Sequence, residues 1–185
     1  MPIMSISTNP TYFNALPIFK SVSMTWVSID TQSIEDDVNN APDMLVTLNN
    51  ELANAGAEDW KFVFGHHPIH SGGHYGGSET LQMSAWPIMK SHNVDFYLTG
   101  HDHNLQHWIT RGDPSGLEHI TTGAGGESEY HKYDHNVEKN EAMGMDLEFF
   151  DYHYGFTYVV VGQDKITVKF VNVDHEVIHE FTRFR

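Results

Sequence analysis

At 185 residues, 39% of them apolar, with no long charge run or low-complexity tract, the chain has the size and make-up of one globular domain with its own core. Twenty-five acidic against ten basic residues give a formal net charge of -15, which argues against a nucleic-acid partner or an anionic membrane surface. Cysteine is absent, so disulfides and thiolate metal sites are excluded, and the fourteen histidines are the candidate transition-metal ligands.

No run of 18 apolar residues occurs, and residues 1–17 lack the basic start and continuous apolar stretch of a secretion signal, so a soluble, untargeted chain is expected. Residues 21–29 alternate Val22, Met24 and Trp26 with small polar residues, which predicts a strand ending at Asp30. Residues 40–56 predict a helix: Asn40 is the N-cap, Pro42 lies in the first turn, Leu45, Leu48, Leu52 and Ala55 form the stripe, and Gly56 is the stop. Trp60–Phe64 predicts a buried strand that feeds the loop 66–78, HHPIHSGGHYGGS. Residues 79–90 predict a helix kinked or shortened by Pro87, and residues 94–99 a second buried strand. This β, α, β, α, β order is that of an α/β layered fold.

After Gly100 the pattern turns to strands: Leu105–Thr110, 117–122, 156–161, 166–173 and Val177–Phe184. The turn signals GDPSG and GQDK favour antiparallel hairpins, so the C-terminal part is α+β in character by segregation. Residues 123–154 are polar, with acids and histidines throughout, and read as a long surface excursion.

Two constellations carry chemistry. In Val63-Phe64-Gly65-His66 a buried strand runs out and presents an imidazole at its end, where open α/β sheets place their sites. In Gly100-His101-Asp102-His103 two histidines at i and i+2 follow the next strand; on extended backbone both rings point the same way, toward one metal or a closely spaced pair. A crossover helix between the two strands makes parallel pairing natural, which brings both motifs to one sheet edge. Asp102 is suited either to orient one ring or to cap the loop.

The runs VFGHHP (63–68), GHDHNLQ (100–106) and TGAG (122–125) resemble the calcineurin-like metallophosphoesterases, most closely the purple, tartrate-resistant acid phosphatases. Ile29-Asp30-Thr31, Pro87 and Gly155-Phe156-Thr157-Tyr158 extend the similarity over nearly all of the chain from about residue 21. The resemblance implies part of a four-layer αββα sandwich and hydrolysis of phosphate monoesters by a pair of metal ions, iron with iron, zinc or manganese. It implies His66 and His101 as ligands of the divalent ion and His103 as ligand of the ferric one. His74 lies near the family's histidine that contacts substrate and protonates the leaving alcohol; a solvated loop histidine is the competing reading. His67 stands where animal members have tyrosine and is expected to line the substrate site. His70, His107, His131 and His135 have no motif support and read as structural or solvated.

The sequence departs from the family in its missing ligands. A complete member also takes an aspartate after its first strand, Gly-Asp-x-x-Tyr and Gly-Asn-His from upstream; the one Gly-Asp pair here, Gly112-Asp113, has no tyrosine at the needed place. The chain therefore reads as the C-terminal portion (1–185) of a single domain. By itself it is expected to bind metal weakly or partially, to be inactive or nearly so, and to aggregate unless an N-terminal half is supplied. The alternative is a non-catalytic half-domain holding a single metal or a protein partner. Family members are often secreted or lysosomal; this sequence leaves the compartment open.

Overall fold

The computed structural model describes residues 22–36, 42–57, 60–113 and 116–185. Its first sheet begins with β1 (Met24–Ser28), β2 (Trp60–Phe64) and β3 (Phe96–Thr99), all parallel. The register places Trp26, Phe62 and Phe96 side by side, and their rings stack at 4.3 and 5.1 Å, a ladder that fixes which face of each strand turns inward. The crossovers carry α1 (Thr31–Asp36), α2 (Pro42–Ala53), α3 (Glu79–Met83) and α4 (Ala85–Ser91), all short helices. Leu48 and Leu52 of α2 are buried against the sheet as expected, whereas Ala55 lies past the helix end; the proposed cap Asn40 lies outside the described residues.

The predicted helix over 79–90 is two helices, broken at Ser84. Pro87 has no N–H to offer the Met83 carbonyl, and its ring collides with that carbonyl in continuous helix, so the chain stops and restarts three residues earlier.

Beyond β3, a hairpin of β4 (Leu105–Thr110) and β5 (Glu118–Thr122) joins the sheet with β5 parallel to β3 and β4 antiparallel to β5. The turn at GDPSG lies there, with Pro114 and Ser115 outside the described residues.

The surface excursion expected over 123–154 is corrected by the structure. It contains α5 (Asp134–Ala142) and β6 (Met145–Asp151), which pairs with β4 and closes the sheet in the order β1-β2-β3-β5-β4-β6. Met145, Leu147 and Phe149 alternate along β6, the period of a strand with one face turned in. α5 has no apolar stripe; it is held by the buried Asn140, whose amide donates to the Ser71 carbonyl at 2.9 Å and whose Oδ1 meets His70 Nδ1 at 2.8 Å.

The second sheet is the antiparallel meander β7 (Gly155–Val161), β8 (Lys165–Asn172) and β9 (Val177–Phe184). One core lies between helices and first sheet around Ile34, Leu48, Val63, Leu81 and Tyr97. The other lies between the sheets, where Phe62, Phe96 and Ile120 meet Ile166, Val168 and Phe170. Helices, sheet and sheet thus form three layers of the expected sandwich. The outer face of β7 leaves Phe156, Tyr158 and Val160 exposed. Among the described residues no helix is long and apolar enough to cross a membrane.

Candidate metal centre

Parallel pairing brings the C-terminal ends of β2 and β3 to one edge, and the chain turns there at Gly65 and Gly100. A side chain at Gly65 would strike the Tyr97 hydroxyl at 2.5 Å and the Thr31 methyl at 2.6 Å, so only glycine lets this strand end pass. His66, His67 and His101 then converge: one ring nitrogen of each lies within 4.8 Å of the others. His101 Nδ1 is 3.0 Å from His66 Nε2, and the His67 ring sits 4.8 Å from His66 and 4.5 Å from His101.

Thr31, the first residue of α1, ties this group to the helix layer. Its hydroxyl oxygen accepts from the His66 and His67 backbone N–H groups at 3.2 and 3.1 Å and lies 2.9 Å from His67 Nδ1. The Tyr97 hydroxyl donates to the His67 carbonyl at 2.8 Å. Burial and the neighbouring imidazoles hold His101 down at about 4, and burial followed by His66 lowers His67. Both rings are therefore neutral near pH 7, with lone pairs available.

His103 goes elsewhere. The i, i+2 reading assumed extended backbone, whereas His101 adopts a left-handed conformation at φ 59°. The His103 ring stacks on Tyr130 at 4.3 Å and its Nδ1 meets the Ser128 carbonyl at 2.9 Å. It remains near enough to add a small share to the lowering of His101.

His74 stands at the rim. Its Nδ1 is 3.3 Å from the Tyr133 hydroxyl, and its ring lies edge-on to Tyr75, which in turn stacks on His101 at 4.2 Å. A cavity of about 490 Å³ opens between the sheets beside this edge, lined by Trp26, Phe64, Leu98, Thr157 and Val159 and reaching Gly65 and Gly100.

The even positions of the second motif do different work from the odd ones. Asp102, Asn104 and Gln106 are fully buried. The Asp102 carboxylate accepts from the Ser71 hydroxyl and, at 3.0 Å, from the Tyr75 N–H; no ring nitrogen is bonded to it, so it caps the loop. Gln106 accepts from Gly72 N–H and Trp108 Nε1, both at 2.8 Å, and donates to Ser71 and Asn104, both at 2.7 Å. Burial pushes the Asp102 carboxyl above its usual range. This scaffold was hidden in the sequence because a polar residue in a loop motif reads as a ligand or as solvated surface.

Of the histidines without motif support, His70 and His107 are buried and structural. His70 faces Trp86 and His119; His107 lies 2.8 Å from Glu118 and 3.1 Å from His179.

The model of the calcineurin-like phosphoesterase family matches residues 4–105. Human tartrate-resistant acid phosphatase type 5 is 31% identical over 135 residues, 73% of this chain and 40% of that protein. Purple acid phosphatase 3 of Arabidopsis thaliana is 36% identical over 124 residues, 67% of this chain and 32% of that protein. The chain thus spans about a third to two fifths of the length of these relatives. Purple acid phosphatase PPD1 from yellow lupin, Lupinus luteus, superposes with a TM-score of 0.70 at 18% identity, covering 88% of this chain and 31% of that one. A structure described as GAP50, the anchor in the inner membrane complex of Plasmodium, superposes with a TM-score of 0.71 at 23% identity, covering 99% of this chain and 53% of that one. With the family model matched over more than half of the chain, and relatives more than 30% identical over two thirds of it that are purple and tartrate-resistant acid phosphatases, the chain belongs to the calcineurin-like phosphoesterases.

Proposed function

We propose that this chain is the C-terminal portion of a domain that hydrolyses phosphate monoesters, and that the remaining metal ligands come from a segment outside this sequence. The observation that carries the reading is the convergence of three imidazoles from two strand ends beside an open cavity. Imidazole donors at this spacing suit iron or zinc.

His66 and His101 would hold one ion of the pair and His103 the other. Such ions would neutralise phosphate charge and lower the pKa of a bound water toward neutrality. His74 gives a proton from Nε2 to the leaving alcohol oxygen, its Nδ1 being engaged by Tyr133. Tyr75 and Tyr133 set the position of the His74 ring, and the Asp102 scaffold holds the loop that carries it.

Hydrolysis of an activated aryl phosphate, with iron, zinc or manganese, by this chain and by a protein extended upstream tests the reading. The extended protein is expected to turn over and the 185-residue chain to be inactive or nearly so. In the extended protein, His74→Ala is expected to lower kcat by about 100-fold while metal content stays unchanged. An extended protein that binds two ions yet cleaves no phosphate ester would remove the enzyme reading.

The alternative, a non-catalytic half-domain, draws on one observation: among the described residues no carboxylate joins the histidine group. It predicts a stable, monodisperse chain and an extended protein without turnover.

A further inference from the structure

We infer that this chain forms one complete cation position by itself, with His67 as third ligand beside His66 and His101. This departs from the substrate contact expected of His67 and leaves His103 outside the position. The inference concerns ion binding alone and holds whether or not the parent domain hydrolyses anything.

The geometry is close to what an ion requires. Zinc–imidazole bonds of about 2.0–2.1 Å place tetrahedral ligand nitrogens about 3.3 Å apart. His66 Nε2 and His101 Nδ1 stand at 3.0 Å, and the full trio lies within 4.8 Å, so adjustments of about an ångström bring all three onto one centre. The rings differ in how firmly they are held. The His67 ring is held at Nδ1 by the Thr31 hydroxyl, so Nε2 is the nitrogen that can reach an ion, with release of a proton on binding. His101 is pressed by the stacked Tyr75, and its left-handed backbone aims the ring at His66 instead of along the strand direction. His66 is exposed and free to swing the remaining distance.

His103 is not part of this trio: it lies outside the group whose ring nitrogens come within 4.8 Å of one another, its Nδ1 meeting the Ser128 carbonyl and its ring stacked on Tyr130. Three imidazole nitrogen donors select zinc, cobalt or nickel over magnesium or calcium, which take oxygen ligands. Three protein ligands also leave a fourth position on the exposed side for water or an anion oxygen, so inorganic phosphate is expected to bind the loaded chain.

Titration of the 185-residue chain with zinc by calorimetry, and with cobalt(II) by visible absorption, tests the assignment. One ion per chain is expected, with the intense visible bands of four-coordinate cobalt. His67→Ala is expected to weaken zinc binding by at least about 30-fold and His103→Ala by less than about 3-fold, with magnesium giving no heat. His67→Phe keeps a planar ring in the same space without a donor and guards against a packing effect; circular dichroism verifies the fold of each variant. Two ions per chain, no zinc binding tighter than about 100 µM, or equal damage from His67→Phe and His103→Ala would overturn the inference.

Discussion

Asp102→Ala is expected to cost on the order of 3 kcal/mol, because the buried Ser71 hydroxyl loses its acceptor at about 1–3 kcal/mol, the partly buried Tyr75 N–H loses its acceptor at a smaller cost, and a void is left behind. The carboxylate is fully buried and receives the Ser71 hydroxyl and the Tyr75 N–H, the two points at which the glycine-rich loop is sewn to the second histidine motif. Ser71 in turn accepts from Gly73 N–H at 3.0 Å and from Gln106 Nε2 at 2.7 Å, so the loss spreads through a connected network. The same packing is tight from the other side: a side chain at Gly123 would lie 2.0 Å from the Asp102 carbonyl oxygen, so Gly123→Ala is expected to displace the same loop. Chemical denaturation reads the stability, and the ring resonances of His74 and His101 read the site. Asp164→Ala, on an exposed turn, serves as the neutral comparison. If Asp102→Ala stays within about 1 kcal/mol of the parent and those resonances do not move, the carboxylate is not the fastener described.

That scaffold also marks where the sequence stops being readable. The strand ends carrying His66 and His101 were legible because apolar runs bounded by glycine announce buried strands, and the α/β order implies a common edge. The fate of His103 was not legible, since the i, i+2 argument assumes extended backbone and one left-handed residue at position 101 breaks it. His67 was expected only to line the substrate site, because nothing in the one-dimensional pattern shows that Thr31, from a different crossover, fixes its ring. Residues 123–154 were misread for two separate reasons. The alternation Met145, Leu147, Phe149 was a usable strand signal masked by acidic neighbours, whereas α5 offers no apolar stripe because a buried asparagine docks it. The helix break at Ser84 follows from Pro87 once the lost carbonyl partner is counted back four residues.

Acidification is expected to destabilise the fold through histidines that the site does not use. His70 and His119 sit with Trp86 between the sheet and the helices, their rings 4.9 Å apart and both nearly inaccessible. His70 Nε2, both His119 nitrogens and the Trp86 N–H have no protein partner, so a charge there would be neither solvated nor paired. Burial holds His70 down at about 4 despite its bond to Asn140, and burial together with His70, His107 and Lys90 holds His119 well below the usual histidine range. The sign follows from comparing the two states. Above pH 6.5 neither state is charged and nothing is lost. As pH falls from 6.5 toward about 4, the unfolded imidazole takes up a proton that the folded one refuses. For His70 that amounts to about 1.4 kcal/mol per pH unit and about 3 kcal/mol at the low end, and His119 adds in the same direction. Asp95 and Asp102 act oppositely, because burial raises their carboxyls and the folded state binds those protons more readily. They titrate from a lower starting value, so the histidines govern the upper part of the window. Denaturant unfolding at pH 7 and pH 4.5 measures the loss, and a His70→Gln, His119→Leu double variant isolates its source. The variant starts less stable at pH 7 but is expected to lose less on acidification, its curve converging on that of the parent. Parallel curves for the two proteins would mean that the acid sensitivity resides elsewhere, and these buried rings would then be spectators.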